Sequence, residues 1–251
     1  MTYTLITGIT SGIGLALAKE FAHHGHNLVL VGRRDDAVQK VFEELKQDYP
    51  KLSFQTIIID LSKKGAGRQL FYKVEELGIQ VDVLVNNAGI GYVGKFEEVD
   101  FLNYQQMLAT NMEAVTEICH AFIPMLKENR GAILNVASNG AFHPGPYTAA
   151  YYATKAYVLH LSKAIRMELK KDGVRVMALC PGATVSDFCR KAGKAQIAGS
   201  MSAESVARSA YKGFKKNRAV IIPGFMNKLY MVAPTKIRSY AIYVSQQKLM
   251  K

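Results

Sequence analysis

Short apolar runs alternate with longer amphipathic stretches along most of the chain, and this alternation constrains the fold more than any other feature. Some runs, such as 28–31 and 57–59, are continuously apolar, as strands buried on both faces of a sheet should be. The pattern predicts strands at 3–7, 27–31, 54–59, 81–86, 131–137, 174–179 and 219–222, and helices at 12–24, 35–48, 65–77, 103–129, 149–172 and 202–217. Such alternation indicates a doubly wound α/β fold with about seven parallel strands and helices on both faces.

The composition is typical of one globular domain. The 251 residues are 49% hydrophobic and 21% charged, which excludes a disordered chain, and no repeat or linker divides them. Cys119, Cys180 and Cys189 form no CxxC pair, so we expect no metal site and a reducing, cytoplasmic location. The first residues lack the basic and apolar regions of an export signal, which agrees with that location.

A glycine-rich run, TGITSGIG at 7–14, joins the first predicted strand to the first predicted helix. Gly8 permits a tight turn, Gly12 lets the backbone approach a pyrophosphate, and Gly14 lets the helix lie close to the sheet. The N-terminus of the helix adds free N–H groups and the positive end of its dipole. We therefore predict that this joint binds a dinucleotide through Gly8, Thr10, Ser11, Gly12, Ile13 and Gly14.

The end of the second predicted strand indicates which dinucleotide is preferred. NAD enzymes usually have an acid there for the ribose 2′-hydroxyl, but this chain has Arg33 and Arg34. Two guanidinium groups suit a 2′-phosphate, so we predict a preference for NADP(H), with NAD(H) as the alternative. We assign Arg33 to this contact, whereas for Arg34 the sequence leaves a cofactor contact and a solvated loop equally open.

Later motifs add to the glycine run, which matches the pattern TGxxxGxG. NNAG stands at 86–89, Ser138 follows the fifth predicted strand, YYATK stands at 151–155, and Pro181-Gly182 follows the sixth strand. Together these motifs resemble the classical, single-domain branch of the short-chain dehydrogenase/reductase family over about residues 4–182. The resemblance implies a Rossmann fold, a catalytic set of Asn111, Ser138, Tyr151 and Lys155, and an opened helix around Asn111. It also implies further cofactor contacts at Asp60, Leu61, Asn87, Ala88, Gly89, Tyr151, Lys155, Pro181, Gly182 and Thr184.

The tyrosine and the lysine of this motif also make chemical sense without the resemblance. Tyr151 and Lys155 are four residues apart, so on a helix their side chains are neighbours. An ammonium beside a phenol favours the phenolate, which suits Tyr151 to general acid–base catalysis. Ser138 can donate a hydrogen bond to a substrate oxygen. Tyr152 is only three residues from Lys155, but the family spacing selects Tyr151, and we expect Tyr152 to be a packing residue.

These residues predict an NADPH-dependent oxidoreductase that reversibly reduces a ketone or other carbonyl compound, with Tyr151 as the general acid. The alternative is a catalytically silent NADP(H)-binding regulator or partner-docking protein. The loops expected to line the substrate, at 91–96, 142–147 and 185–188, are mostly apolar, which favours an uncharged or acyl-type ketone. Arg190, Lys191 and Lys194 are suited to contact with an anionic group such as a carboxylate or phosphate, but we favour the alternative that they belong to a solvated lid. We expect His143 to be an exposed loop histidine.

The C-terminal quarter carries nearly all of the net charge of +12. Residues 191–251 hold twelve lysines and arginines against one acid, Glu204. We expect a dinucleotide-binding catalytic domain at 1–224 and a basic amphipathic extension at 225–251, and this ending makes a homodimer a better expectation than the family's usual tetramer. The extension is suited to weak contact with a membrane surface or an acidic protein, or to packing on the body or on a second subunit. No nucleic-acid-binding motif is present, so we expect no specific nucleic-acid partner.

Overall fold

The computed structural model describes residues 1–185 and 200–249. Its centre is one parallel sheet of seven strands in the order β3-β2-β1-β4-β5-β6-β7. The strands are β1 (Thr2–Thr7), β2 (Asn27–Gly32), β3 (Phe54–Ile58), β4 (Gln80–Asn86), β5 (Ala132–Val136), β6 (Arg175–Leu179) and β7 (Val220–Ile221). The predicted doubly wound fold is therefore confirmed, and every predicted strand is present.

Helices connect these strands and cover both faces of the sheet. They are α1 (Gly12–His23), α2 (Asp35–Asp48), α3 (Ala66–Glu76), α4 (Phe101–Leu108), α5 (Ala114–Glu128), α6 (Ala149–Glu168), α7 (Ala203–Lys215), α8 (Phe225–Val232) and α9 (Thr235–Leu249). Local chemistry explains several starting points. Asp35 and Asp36 occupy the first turn of α2, where their negative charges interact favourably with the positive end of the helix dipole. At the start of α7, the Ser202 hydroxyl accepts a hydrogen bond from Ser205 N.

Two apolar cores lie on opposite faces of the sheet. Leu70 of α3, Phe122 of α5 and Val158 of α6 belong to the first core. Phe21 of α1 and Phe214 of α7 belong to the second, and their rings pack edge to face with centroids 5.3 Å apart. Both faces of the central strands are buried, which explains why their sequences are continuously apolar.

The strand order reverses at β1. The chain adds β2 and β3 on one side of β1 and then continues with β4 on its other side. In an open α/β sheet, ligands bind at such a point, outside the carboxyl ends of the strands. The glycine run follows β1, and NNAG follows β4, so both motifs lie at this edge.

The C-terminal extension forms α8 and α9, separated by Pro234. None of the residues of α8 is buried, and Phe225, Met226, Leu229 and Val232 expose their apolar side chains. Within residues 1–185 and 200–249, the helices are all too short or too polar to cross a membrane.

Candidate active site

The glycine turn after β1 is held directly against the NNAG segment after β4. Gly8 adopts φ of +73°, and a Cβ atom at this position would lie 2.9 Å from Ala88 Cα. The Asn87 amide donates to Thr7 O at 2.8 Å and to Gly8 O at 3.1 Å, while the Thr7 hydroxyl accepts hydrogen bonds from Asn87 N and Ala88 N, each at 3.0 Å. The two motifs therefore form one rigid cradle in front of the N-terminus of α1, where Thr10, Ser11, Gly12 and Ile13 follow the turn and Gly14 packs on Gly8 O.

The two arginines and Asp60 lie at the outer side of this cradle. Arg33 and Arg34 directly follow β2 and are exposed, with Arg34 at the N-cap of α2. Although burial alone would raise the pKa of Asp60, hydrogen bonds from Ser62 N (3.0 Å) and Ser62 Oγ (2.8 Å) and the charge of Arg33 hold that pKa below its usual value. The Leu61 side chain packs into the first core.

Asn111 lies within a π-helical turn, Ala109–Glu113, that interrupts the helix between α4 and α5. Its side chain is fully buried and makes three hydrogen bonds. Its Oδ1 accepts from Ile90 N at 2.9 Å, and its Nδ2 donates to Ile90 O at 2.8 Å and to Thr154 Oγ1 at 3.0 Å. The continuous helix predicted at 103–129 is therefore wrong, whereas the opening that the family resemblance implied around Asn111 is present.

Lys155 is the buried cation of the site, only 5% exposed. Its Nζ donates to Val136 O at 2.8 Å and lies 5.9 Å from the centroid of the Tyr151 ring. Burial lowers the pKa of Lys155 to about 8, and the nearby Cys180 opposes this effect. A Cβ atom at Gly89 would lie 3.3 Å from Lys155 Nζ and 3.2 Å from Asn111 Oδ1, so the missing side chain of this glycine leaves room between the two groups.

Ser138 follows β5 and begins the 3₁₀ turn Asn139–Phe142, with its Oγ accepting a hydrogen bond from Gly140 N at 3.1 Å. The next residue ties this turn to the segment after β6, because Asn139 N donates to Pro181 O at 2.8 Å. In that segment the Thr184 hydroxyl donates to Gly182 O at 3.0 Å. The carboxyl ends of β1, β4, β5 and β6 thus bring the glycine run, NNAG, Ser138 and Pro181-Gly182 to one edge of the sheet.

Comparison with known proteins agrees with this geometry. The model of the short chain dehydrogenase family matches residues 2–197. The chain belongs to the short-chain dehydrogenase family. It is therefore an oxidoreductase, as the names of its relatives also indicate.

Two relatives and one solved structure show how close the match is. A very-long-chain 3-oxoacyl-CoA reductase-like protein of Arabidopsis thaliana is 38% identical over 72% of this chain and 59% of its own length, so this chain spans about three fifths of that protein. Sulfoacetaldehyde reductase 2 of Chromohalobacter salexigens is 33% identical over 73% of both chains. The structure of a short-chain dehydrogenase from Sphingobium yanoikuyae in complex with NADPH superposes with a TM-score of 0.84 and 28% identity, covering 100% of this chain and 95% of the other.

The tandem tyrosines of the family motif have different surroundings. The Tyr152 ring fills the space beside Gly140 and Gly145, where a Cβ atom at Gly140 would lie 2.9 Å from ring carbons. Burial raises the pKa of Tyr152 to about 12. Tyr152 is thus enclosed by the 3₁₀ turn and the following loop, in agreement with the packing role expected from the motif spacing.

The expectation that His143 is an exposed loop residue is wrong. His143 is only 8% exposed, its Nδ1 lies 3.0 Å from Pro144 O, and its ring packs edge to face on Tyr152 and on Tyr230 of α8. Burial lowers the pKa of His143, and the charge of Arg238 lowers it further. The C-terminal extension is what covers this histidine.

Several residues at the site were not predicted from the sequence. Thr154 hydrogen-bonds Asn111, and only its place next to Lys155 in the family motif could have indicated it. Asn227 of α8 lies against Gly182, and Tyr243 of α9 stacks on Tyr147 with ring centroids 5.7 Å apart. These last contacts join segments far apart in sequence, so no local pattern indicates them. The predicted cations Arg190, Lys191 and Lys194, with Cys189, lie outside the described residues.

Proposed function

We propose that this chain reversibly reduces a ketone or other carbonyl compound to an alcohol with NADPH, and that Tyr151 is its general acid and base. The observation that carries the proposal is the convergence of Gly89, Asn111, Tyr151 and Lys155 at the carboxyl edge of the sheet, beside the glycine cradle. Neither a sensor nor a docking protein needs a phenol beside a buried ammonium.

The residues present fit a dinucleotide. A Cβ atom at Gly8 would collide with Ala88, and the open turn lies at the N-terminus of α1, where free N–H groups suit a pyrophosphate. Arg33 and Arg34 offer their exposed guanidinium groups beyond β2, which supports a 2′-phosphate and hence NADP(H) over NAD(H). The NADPH complex of the Sphingobium relative supports the same choice. NADPH supplies a hydride when it is bound.

The chemistry proposed for the chain's own residues is proton transfer and charge stabilisation. Tyr151 donates its phenolic proton to the substrate oxygen, and Ser138 donates a hydrogen bond to that oxygen as negative charge develops there. Lys155 favours the phenolate by its charge, and because its pKa is lowered to about 8, it carries that charge at neutral pH and loses it above about pH 8. Asn111 holds Ile90 and Thr154 in place and keeps the π-helical turn open beside Lys155.

The substrate class and the partners extend this proposal. The apolar loops at 91–96 and 142–147 support an acyl-type or other largely apolar ketone, and the name of the plant relative refers to a 3-oxoacyl compound. We propose that residues 1–224 form the catalytic domain and 225–251 an extension of it, and that the protein forms a homodimer. The exposed apolar residues of α8, together with exposed Lys228, support weak contact with an anionic surface.

The test combines cofactor binding with one matched pair of variants. We expect tighter binding of NADPH than NADH, followed by nicotinamide fluorescence, and NADPH-dependent turnover of ketones. Tyr151→Phe should still bind NADPH but lose about 100-fold or more of kcat because the proton donor is gone, while the adjacent Tyr152→Phe should retain activity. If Tyr151→Phe keeps full turnover, the assignment is wrong. A folded protein that binds NADPH but reduces no ketone or acyl thioester would favour the silent regulator instead.

A further inference from the structure

The helices α8 and α9 lie directly on the loop that connects Ser138 to Tyr151. Tyr230 of α8 packs its ring edge to face on His143, with centroids 5.9 Å apart, and Tyr243 of α9 stacks on Tyr147. The hydroxyl of Tyr230 then donates to Arg238 O at 3.2 Å, which joins the two helices behind this contact. Residues of the extension therefore reach the substrate side of the proposed active site.

Arg238 is a charged side chain buried where these helices meet, between Met231 of α8 and Thr235 of α9. It is only 7% exposed, and among the described residues its guanidinium group has only neutral partners. Nη1 lies 3.4 Å from Met231 Sδ, Nη2 donates to Thr235 Oγ1 at 3.2 Å, and Nε has no hydrogen-bond partner. The chain contains no aspartate or glutamate after Glu204, and no ion pair of the described residues includes Arg238.

This arrangement is unfavourable for the protein alone. A buried charge without a counter-charge costs several kcal/mol even after relaxation of its surroundings. Arg238 is also the fourth residue of α9, so it adds a positive charge near the positive end of the helix dipole. The charge extends to the active-site loop, where it contributes to the lowered pKa of His143. A site of uncompensated positive potential attracts an anion.

We propose that Arg238 binds an anionic group of the substrate, a carboxylate, sulfonate or phosphate, at the end remote from the reacting carbonyl. A planar guanidinium group can donate two parallel hydrogen bonds to the two oxygens of such a group. The Nε of Arg238 has no partner among the described residues, so its N–H can supply one of the two bonds. Arg238 is linked through Tyr230 and His143 to the loop beside Ser138 and Tyr151, which favours the substrate over an unrelated ion. The inference rests on the proposed carbonyl reduction.

The kinetic test uses a pair of substrates that differ only in charge, namely a 3-oxo acid and its methyl ester. Arg238→Met keeps the aliphatic volume and removes the charge. We expect the ratio of kcat/KM for the acid to kcat/KM for the ester to fall about 10- to 100-fold, mainly through KM for the acid, as expected for hydrogen bonds to a charged group. Lys236→Gln is the matched control, because it removes an exposed charge from the same helical turn and should leave the ratio unchanged. An unchanged ratio in Arg238→Met would overturn the proposal.

A binding test that needs no turnover separates this inference from the proposed function. Sodium sulfate, compared with sodium chloride at equal ionic strength, should raise the Tm of the wild type and of Lys236→Gln more than that of Arg238→Met. Without sulfate, Arg238→Met should be no less stable than the wild type, because the uncompensated charge is gone.

A clear loss of Tm in Arg238→Met without sulfate, and no difference from the wild type in the response to sulfate, would make Arg238 a structural residue and contradict the proposal. A lost sulfate response with an unchanged kinetic ratio would mean a site for an inorganic anion, which also refutes the substrate assignment. If the wild type reduces neither compound, the proposed function fails while the sulfate response still decides whether an anion binds at Arg238.

Discussion

Replacing Lys155 by methionine should abolish activity and yet remove a source of instability. Burial lowers the pKa of Lys155 from 10.5 to about 8, so the folded protein binds this proton more weakly than the unfolded chain. The difference corresponds to a cost of about 3 kcal/mol. Below pH 8 both states carry the charge and the full cost is present. Between pH 8 and 10.5 the folded lysine becomes neutral while the unfolded one remains charged, so the cost disappears as the pH rises.

The methionine variant also loses one favourable contact. The Lys155 ammonium donates to Val136 O at 2.8 Å, and a buried carbonyl left without a partner costs about 1–3 kcal/mol. This loss does not depend on pH, so it shifts the stability of the variant by a constant amount. The free energy of unfolding of Lys155→Met minus that of the wild type should therefore fall by about 3 kcal/mol between pH 7 and pH 10.5, whatever its value at neutral pH.

The assay is urea unfolding of both proteins at several pH values from 7 to 10.5, followed by circular dichroism. Burial also raises the pKa of Cys119 and of Tyr152, but both proteins contain these groups and Lys155 acts on neither, so their titration cancels in the difference. The charge of Lys155 does lower the pKa of Cys180, so both proteins carry Cys180→Ala to remove that contribution. Lys163→Met, which removes an exposed lysine from the same helix, is the control and should give a difference that does not vary with pH. A difference for Lys155→Met that stays constant over this range would refute the argument that Lys155 is held buried at a cost in stability.

Two further predictions concern the framework of the site. Asn111→Ala should lower the free energy of unfolding by about 3 kcal/mol, because it removes three hydrogen bonds of a fully buried side chain and leaves the partly buried N–H and C=O of Ile90 without this partner; a loss under 1 kcal/mol in urea unfolding would contradict this. Burial lowers the pKa of His26, whose ring nitrogens lie 2.9 Å from Thr4 Oγ1 and 3.2 Å from Tyr211 Oη, so its neutral form is favoured in the fold. Stability should accordingly fall as the pH drops below about 6.5, where the unfolded histidine gains a proton. His26→Gln should show a shallower fall, and an identical pH dependence in the two proteins would count against this assignment.

The regular part of the fold follows from local patterns. The helix predicted at 35–48 is α2 with the same bounds, since its apolar residues recur at helical spacing after two favourable acids. The apolar run at 28–31 lies inside β2, because a strand of a covered parallel sheet is buried on both faces. The motif residues converge because the carboxyl ends of parallel strands meet at one edge, which connectivity alone determines.

Features that depend on distant contacts were not predictable in this way. The apolar residues of 103–129 keep a helical period on both sides of Asn111, so the period does not reveal the π-helical turn between them. His143 is buried by Tyr230, which lies far along the chain, and the sequence around the histidine does not indicate this contact. The sequence shows the basic residues of the extension, but the burial of one of them, Arg238, depends on how α8 and α9 pack against each other.

Three cations that we propose to act at the site have no ion-pair partner among the described residues. The four ion pairs formed by the described residues all lie at the surface, and none of them includes Arg33, Lys155 or Arg238. A fold selected only for stability would pair such cations or replace the buried ones by apolar residues. Instead, exposed Arg33 lies at the proposed 2′-phosphate position, buried Lys155 at the proposed reacting centre and buried Arg238 at the proposed remote end of the substrate. These charges create a positive potential across the site, which attracts phosphates and other anions. The pH dependence of Lys155→Met therefore measures how much stability the protein loses by burying Lys155, and the sulfate response of Arg238→Met measures whether Arg238 binds an anion.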